Sequence, residues 1–174
     1  DQIVAAVGFW VVPHRLLRAT VRRRRDHDVQ SPATVMFSSD STGDPKGVLL
    51  SHANINANIE GLYQVLAAKR DDVMLGILPL FHSFGFTGTL WYPLTTGMGV
   101  VYHHNPLDFK VVGELAEQYK ATTLTATPTF LMGYIRKCTP EQFAFMRHVV
   151  VGAEKLNPRV AAAFEKRFGV APRE

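Results

Sequence analysis

The chain has 174 residues, of which 47% are hydrophobic and 20% are charged, and its formal net charge is +4. This composition is typical of a soluble globular domain and excludes a disordered or low-complexity chain. A single cysteine, Cys138, excludes an intrachain disulfide framework and a zinc site built from several cysteines, and it indicates a reducing, cytoplasmic location.

The first 31 residues combine an apolar opening with a basic patch. Six arginines lie between Arg15 and Arg25 with no acidic residue among them, and they account for the whole positive excess of the chain. Such a patch suits anionic lipid head groups, RNA or a solvated linker. No aromatic residues are interleaved with the arginines, so we expect no nucleic-acid partner. We interpret residues 1–31 as a linker or preceding segment, with peripheral contact to the inner membrane face as the alternative, and place a domain boundary near Pro32.

Two strands and a helix are predicted directly after this boundary. The β-prone run from Thr34 to Phe37 and the run VLL at 48–50 predict strands joined by an ordered loop. Ser51 is a suitable N-cap. Apolar residues then recur at spacings of three and four, which predicts an amphipathic helix with one buried face formed by Ile55, Ile59, Leu62, Tyr63 and Leu66.

Residues 73–107 contain no Asp, Glu, Lys or Arg, a stretch long enough to raise the question of a membrane span. The prolines, glycines and histidines inside it would break a lipid-exposed helix and leave backbone groups unpaired. We therefore predict that this stretch is buried strand, loop and helix within a globular domain.

Helices and strands alternate through the rest of the chain. One helix follows Asp108, with a face formed by Phe109, Val112, Leu115, Ala116 and Tyr119, and a strand follows at 122–126. A second helix begins at Thr127 and Pro128, a strand covers 148–152, and Asn157 with Pro158 begins a third helix. The βαβα alternation predicts an α/β fold, with helices layered on a largely parallel sheet and ligand loops at the carboxyl ends of its strands.

The segment SSDSTGDPKG at 38–47 is the most informative part of the sequence. Its hydroxyls and backbone N–H groups are suited to donate to phosphate oxygens, its glycines allow close backbone approach, and Lys46 supplies a positive charge. The predicted phosphate-binding residues are Ser38, Ser39, Ser41, Thr42, Gly43, Lys46 and Gly47. A plain Ser/Gly-rich turn is the alternative that composition allows. The loop is not a Walker A motif, because Gly43 lies three residues before Lys46 and a glycine follows the lysine.

Four segments together resemble the motifs of the adenylate-forming (AMP-binding) superfamily. STGDPKGVLLSHANI at 41–55 resembles its signature, and LPLFHSFGFT at 78–87, TATPTFL at 125–131 and VVVGAEKL at 149–156 resemble later motifs in order and spacing. The resemblance covers about residues 32–172. GAEKL and the PLD after two histidines most resemble the bacterial acyl-carrier-protein synthetase/2-acylglycerophosphoethanolamine acyltransferase group, with long-chain fatty acyl-CoA ligases close behind.

This resemblance implies that residues 32–174 are part of the large N-terminal domain of such an enzyme. The reaction implied is the activation of a carboxylic, and by resemblance fatty, acid by Mg²⁺ and ATP as an acyl-adenylate, then transfer to the thiol of CoA or acyl-carrier protein. Catalytic roles are implied for Lys46, Thr42 and His82. The implied acid pocket comprises Phe81, His82, Gly85 and Thr127, and the implied adenine site comprises Gly152, Ala153 and Glu154. No residue is assigned to a metal. The aromatic residues Phe84, Phe86, Trp91 and Tyr92 fit either the core or an acyl channel.

The chain departs from the family pattern in two respects. Asp40 stands where the family loop has glycine; its carboxylate either repels the phosphates, helps to hold Mg²⁺, or is tolerated. The family's Tyr-Gly-x-Thr-Glu motif would begin just beyond Arg173, so we expect this chain alone to show no turnover.

Two other functions are open at this point. His103 and Asp108 form an H-x4-D pair that would serve direct acyl transfer to a glycerolipid hydroxyl. The second alternative is a non-catalytic nucleotide-binding module that docks through its basic patch. The full-length gene tests the second alternative, because a degenerate module would also lack the late catalytic motifs.

Overall fold

The computed structural model describes residues 28–38 and 45–174. The predicted basic patch, and the loop residues 39–44 with Asp40, lie outside the described residues.

The two strands predicted around the phosphate loop form an antiparallel hairpin. Strand β1 is Pro32–Ser38 and strand β2 is Lys46–Ser51. Their register places Ser38 opposite Lys46. The hairpin therefore brings the two ends of the phosphate loop together.

Helix α1, His52–Leu66, begins directly after Ser51, the predicted N-cap. Ser51 and Asn54 form a capping box, in which the Asn54 N–H donates to Ser51 Oγ at 3.2 Å and the Ser51 N–H donates to Asn54 Oδ1 at 3.0 Å. Ala67 ends the helix in the left-handed region at φ 44°. Of the predicted apolar face, Ile55, Ile59 and Leu66 are buried. Leu62 and Tyr63 are partly buried against the same cluster.

The remaining four strands form one parallel sheet, as the βαβα alternation predicts. They are β3 (Val73–Gly76), β4 (Gly99–Tyr102), β5 (Thr123–Ala126) and β6 (His148–Val151), in the order β4-β3-β5-β6. Each pair of neighbours is parallel. Arg173 adds an isolated parallel bridge to Val150, beyond the outer side of β6.

Helices connect these strands and cover the sheet. Between β3 and β4 the chain forms α2 (Ser83–Gly85), a π-helix (Phe86–Trp91) and α3 (Tyr92–Thr96). Helix α4 is Phe109–Gln118, α5 is Pro128–Lys137, a 3₁₀ turn is Glu141–Phe143, and α6 is Pro158–Phe168. In the part of the chain that the structure describes, no helix is long and apolar enough to cross a membrane. The uncharged stretch 73–107 is thus strand and short helices.

Two buried clusters lie on opposite faces of the sheet. The larger one joins Leu124 and Ala126 of β5 to Tyr134 of α5 and Phe164 of α6. The smaller joins Ile55 and Ile59 of α1 to Met74 and Tyr92. Tyr92 is therefore core. Tyr119, which the helical spacing placed on the buried face of α4, is half exposed because α4 ends at Gln118 and Tyr119 is its C-cap.

Candidate functional site

Strands β3, β5 and β6 end at the same edge of the parallel sheet. Past β3 the chain runs through Pro79 to His82, past β5 it reaches Thr127, and past β6 it reaches Gly152. Ligand sites of open parallel sheets gather at this carboxyl edge. The topology therefore places three of the four motif segments at one edge of the sheet.

The fourth motif segment, the phosphate loop, is described at its two ends. Ser38 is exposed at the end of β1, and Lys46 and Gly47 begin β2. A Cβ at Gly47 would lie 3.2 Å from Val35 Cγ1, so this glycine also serves the packing of the hairpin. The predicted residues Ser39, Ser41, Thr42 and Gly43 lie outside the described residues, and their roles stay predictions.

His82 is held at the start of α2 by two hydrogen bonds. Its N–H donates to the Pro79 carbonyl at 3.1 Å, and its Nδ1 accepts from the Phe84 N–H at 3.3 Å. An accepting Nδ1 places the proton of the neutral ring on Nε2, which leaves Nε2 as a donor to a ligand. The imidazole is exposed, so a ligand reaches it without any rearrangement.

Gly85 lies directly under this histidine segment and is buried. A Cβ built there would overlap the Pro79 carbonyl oxygen and lie 3.0 Å from the Leu78 carbonyl oxygen. Gly85 thus supports the position of His82 through close backbone packing. Phe81, which precedes His82, is 84% exposed.

Two cavities meet at His82. A groove of about 750 Å³ runs beside the hairpin and is lined by Ser38, Pro45, Phe37 and Phe81 among others. A cavity of about 740 Å³ lies between α1 and the π-helix, and it reaches Thr125 of β5 and Ala153 after β6. His82 and Ser83 line both spaces. The phosphate-loop ends and the apolar cavity therefore share one wall.

The lining of the apolar cavity shows which of the four aromatic residues at 84–92 belong to the core and which face a cavity. Phe84 lines the cavity, whereas Phe86 and Trp91 pack against the smaller core cluster with Tyr92. The lining also includes residues that sequence patterns did not single out, such as Gly61, Val65, Thr87 and Thr125. Helical and strand periodicity report the core face of an element, and these residues lie beside that face instead.

Two threonines at the end of β5 have different surroundings. Thr127, predicted in the acid pocket, is the N-cap of α5 and accepts from the Phe130 N–H at 3.4 Å; it does not line the cavity. Thr125 does line it and is 2% exposed. Its Oγ1 has no hydrogen-bond partner among the described residues. A buried polar group without a partner costs about 1–3 kcal/mol.

We expect Thr125→Val to raise the free energy of unfolding by about 1 kcal/mol, because it removes an unpaired buried hydroxyl. Urea denaturation measures this change. Thr89→Val is the matched control, since the Thr89 hydroxyl is fully buried and donates to the Gly85 carbonyl at 2.7 Å; it is expected to destabilise the chain by a similar amount. If both variants lose stability, Thr125 has a partner such as an ordered water.

The turn after β6 contains the predicted adenine-site residues. Its Gly152 N–H donates to the Ala126 carbonyl at 3.2 Å, which ties the turn to β5. Ala153 has a φ of 67°, a conformation that costs a residue with a side chain about 1–2 kcal/mol. The Glu154 carboxylate accepts from Thr129 Oγ1 of α5 at 2.9 Å. Strained turns of this kind concentrate at ligand sites.

The H-x4-D pair is formed in the structure. His103 Nε2 and Asp108 Oδ2 lie 2.9 Å apart, and Asn105 Nδ2 donates to Asp108 Oδ1 at 2.8 Å. The three residues fold the turn that begins α4. Neither His103 nor Asp108 lines the two cavities at His82.

Comparison with known proteins identifies a family and relatives that this chain matches. The family model described as AMP-binding enzyme matches residues 8–173. A long-chain-fatty-acid–CoA ligase of Bacillus subtilis is 29% identical over 155 residues, covering 83% of this chain and 26% of that protein. A p-hydroxybenzoic acid–AMP ligase of Mycobacterium marinum is 26% identical over 141 residues, covering 80% of this chain and 20% of that protein.

A solved structure shows the same fold. The ATP-bound crystal structure of MatB from Rhodopseudomonas palustris superposes with a TM-score of 0.75 at 25% identity, covering 84% of this chain and 29% of that chain. The chain thus spans between a fifth and a third of the length of these proteins.

Proposed function

This chain belongs to the AMP-binding enzyme family, as its motifs predicted, and from that premise we propose that it forms the ATP-phosphate and acyl-group sites of an acid-activating ligase. In the proposed reaction, the carboxylate of the acid attacks the α-phosphate of ATP, pyrophosphate leaves, and an acyl-adenylate forms. A thiol then takes the acyl group and AMP is released.

The observation that carries this proposal is the wall that the two cavities share. The groove extends from His82 to Ser38 and Pro45, the described ends of the phosphate loop, and the apolar cavity extends from His82 to Ala153. A nucleotide whose phosphates lie on the loop and an acid whose tail lies in the cavity would meet at His82. Placing two reactants in contact is the main contribution that such a site makes.

We assign the individual roles accordingly. Lys46 and the loop hydroxyls hold the β- and γ-phosphates, and Mg²⁺ enters with those phosphates, since phosphate oxygens are ligands that it prefers. His82 Nε2 donates to the carboxylate or to the phosphate under attack. Gly152, Ala153 and Glu154 border the adenine, while Gly85 and Thr127 hold their neighbours in place.

The acid is proposed to carry an apolar tail, and the thiol is proposed to be that of CoA. The cavity is lined mainly by carbon, and its lining has no Lys, Arg, Asp or Glu side chain among the described residues. A fatty acid fits such a lining, and an aromatic acid is the alternative. Acyl-carrier protein as acceptor, and membrane contact by the arginines between Arg15 and Arg25, stay predictions.

Replacing Lys46 with alanine is expected to weaken ATP binding about 10- to 100-fold. A charge-assisted contact to phosphate contributes about 1.5–3 kcal/mol, and each 1.4 kcal/mol is a factor of ten in affinity. Titration calorimetry with ATP measures the change. Lys110 is exposed on α4, and Lys110→Ala is the control that should leave the affinity unchanged.

The complete reaction is tested on the full-length gene product by acid-dependent exchange of pyrophosphate into ATP. Exchange that disappears in Lys46→Ala supports the ligase. ATP binding without exchange for any acid would favour the non-catalytic nucleotide-binding module instead.

A further inference from the structure

Gly61 occupies a position where packing does not require glycine. It lies inside the 15-residue helix α1, where glycine is about 0.5–1 kcal/mol less favourable than alanine. At other glycines of the chain the reason is steric: a Cβ at Gly76 would lie 2.5 Å from Tyr102 Cδ1, and one at Gly113 would lie 2.6 Å from Gln142 Oε1. A Cβ at Gly61 meets no atom of the described residues within 4 Å.

The space beside Gly61 is the apolar cavity. Three successive turns of α1 line it, with pairs of residues at 57–58, 61–62 and 65–66. At 1.5 Å per residue this wall is roughly 13 Å long, and Gly61 is at its middle. Opposite α1 the cavity is lined by Phe84, Thr87 and Gly88 of the next helical segments. Any side chain at position 61 would therefore enter the volume between these elements.

We propose that Gly61 is a specificity-determining residue, which keeps the cavity open so that a long or bulky apolar acyl tail lies along α1. The inference rests on the proposed function, because it takes the cavity as the acyl site. It adds that the size of the acid is set at one position of α1. The helix retains an unfavourable residue there because the tail of the substrate fills the space that a side chain would otherwise occupy.

The test is the chain-length profile of the full-length gene product. The kcat/KM of acid-dependent pyrophosphate exchange is measured with saturated acids from butanoate to hexadecanoate, for the unaltered protein and for Gly61→Ala and Gly61→Leu. We expect Gly61→Leu to lower kcat/KM for the best long acid about 50-fold, the loss that follows from displacing about three methylene groups from apolar burial. The kcat/KM for butanoate and the KM for ATP should change less than about threefold. For the best long acid, the kcat/KM of Gly61→Ala should lie between those of the unaltered protein and Gly61→Leu.

Gln64→Leu is the matched control. Gln64 is exposed on the same helix and does not line the cavity, so its leucine should leave the profile unchanged. Leucine is a better helix former than the glycine it replaces at position 61 and comparable to the glutamine it replaces at position 64. Both variants are therefore expected to fold, which circular dichroism checks.

Three results are distinguished. A shift of the profile toward shorter acids in Gly61→Leu supports the role of Gly61. An unchanged profile, or an equal loss with every acid including butanoate, overturns it while the ligase assignment stands. Exchange with no acid in the unaltered protein overturns the proposed function, and the role of Gly61 with it.

Discussion

Asp72→Ala is expected to lower the free energy of unfolding by about 3–4 kcal/mol, one of the two largest effects predicted for this chain. Asp72 is 2% exposed and lies just before β3, at the amino edge of the sheet. Its carboxylate accepts from Thr122 Oγ1 at 2.6 Å and from the Lys69 N–H at 2.7 Å, and Arg147 donates to it from the segment before β6. Alanine would remove the acceptor that these three donors share, at about 1–3 kcal/mol for each one that stays buried without another partner.

This carboxylate joins the three adjacent strands of the sheet. Asp72 precedes β3, Thr122 precedes β5 and Arg147 precedes β6. Thr122 also accepts from the Val73 N–H at 3.0 Å, and its own carbonyl accepts from the Arg147 N–H at 2.8 Å. The cluster lies at the end of the sheet away from the candidate site, so its expected role is structural.

Asp72 should also make the chain sensitive to acid. Burial by itself would raise the pKa of this carboxyl, but the hydrogen bonds from Thr122 and the Lys69 N–H, with the charge of Arg147, outweigh burial and lower the pKa. A carboxyl whose pKa is lower in the folded state stabilises the fold above its unfolded pKa of about 3.9, and that contribution is lost as pH falls through the folded value. For His148, burial disfavours the charged imidazolium and therefore lowers the pKa. The folded state then loses stability as the pH falls below about 6.5, the unfolded pKa of histidine.

Urea denaturation at several pH values measures both effects. Asp71→Ala is the control, because Asp71 is the adjacent aspartate and is exposed; its variant should stay within about 0.5 kcal/mol of the unaltered chain. Asp72→Asn should flatten the decline in stability below pH 4. If Asp72→Ala matches Asp71→Ala, the cluster does not stabilise the sheet.

Local sequence signals predicted most of the fold because each has a local physical cause. Ser51, Thr127 and Asn157 were placed at helix starts from residue type and position, and each accepts a backbone hydrogen bond at the start of its helix. The parallel sheet followed from the alternation of elements. The Asp72 cluster had no such signal, because Asp72 and Arg147 are 75 residues apart and meet only through the strand order.

The candidate site was predicted in part, for the same reason. Motif order placed His82, Gly85 and Gly152 in it, and topology gathers their segments at one edge of the sheet. The cavity wall formed by Gly61, Thr125 and Val65 was missed, since whether a residue lines a cavity depends on the gap between two elements and not on the period of either. Thr127 was assigned to the pocket from its motif, but its hydroxyl caps α5.

Gly85→Ala is the second variant with a large expected effect, a loss of about 3 kcal/mol in the free energy of unfolding, at the upper end for overpacking. The backbone at Gly85 is helical, with φ −66° and ψ −45°, so alanine suits its conformation. The difficulty is steric: the new Cβ would overlap the Pro79 carbonyl oxygen and lie 2.8 Å from the Pro79 carbonyl carbon. Both atoms are backbone, and neither moves without moving the segment that leads to His82.

The Pro79 carbonyl is also the acceptor that holds the His82 N–H. Displacing this carbonyl should move the imidazole away from the wall that the groove and the cavity share. We therefore expect acid-dependent pyrophosphate exchange in the full-length gene product to fall at least tenfold, which corresponds to about 1.4 kcal/mol of transition-state stabilisation. Gly88→Ala is the control, because it introduces alanine into the adjoining π-helix without crowding the backbone. A Cβ at Gly88 would lie 3.8 Å from its nearest neighbour, Thr125 Cγ2, which is ordinary van der Waals contact. That control should keep or slightly gain stability. Equal stability of the two variants would show that the segment from Pro79 to His82 adjusts freely, and then Gly85 would not be what positions His82.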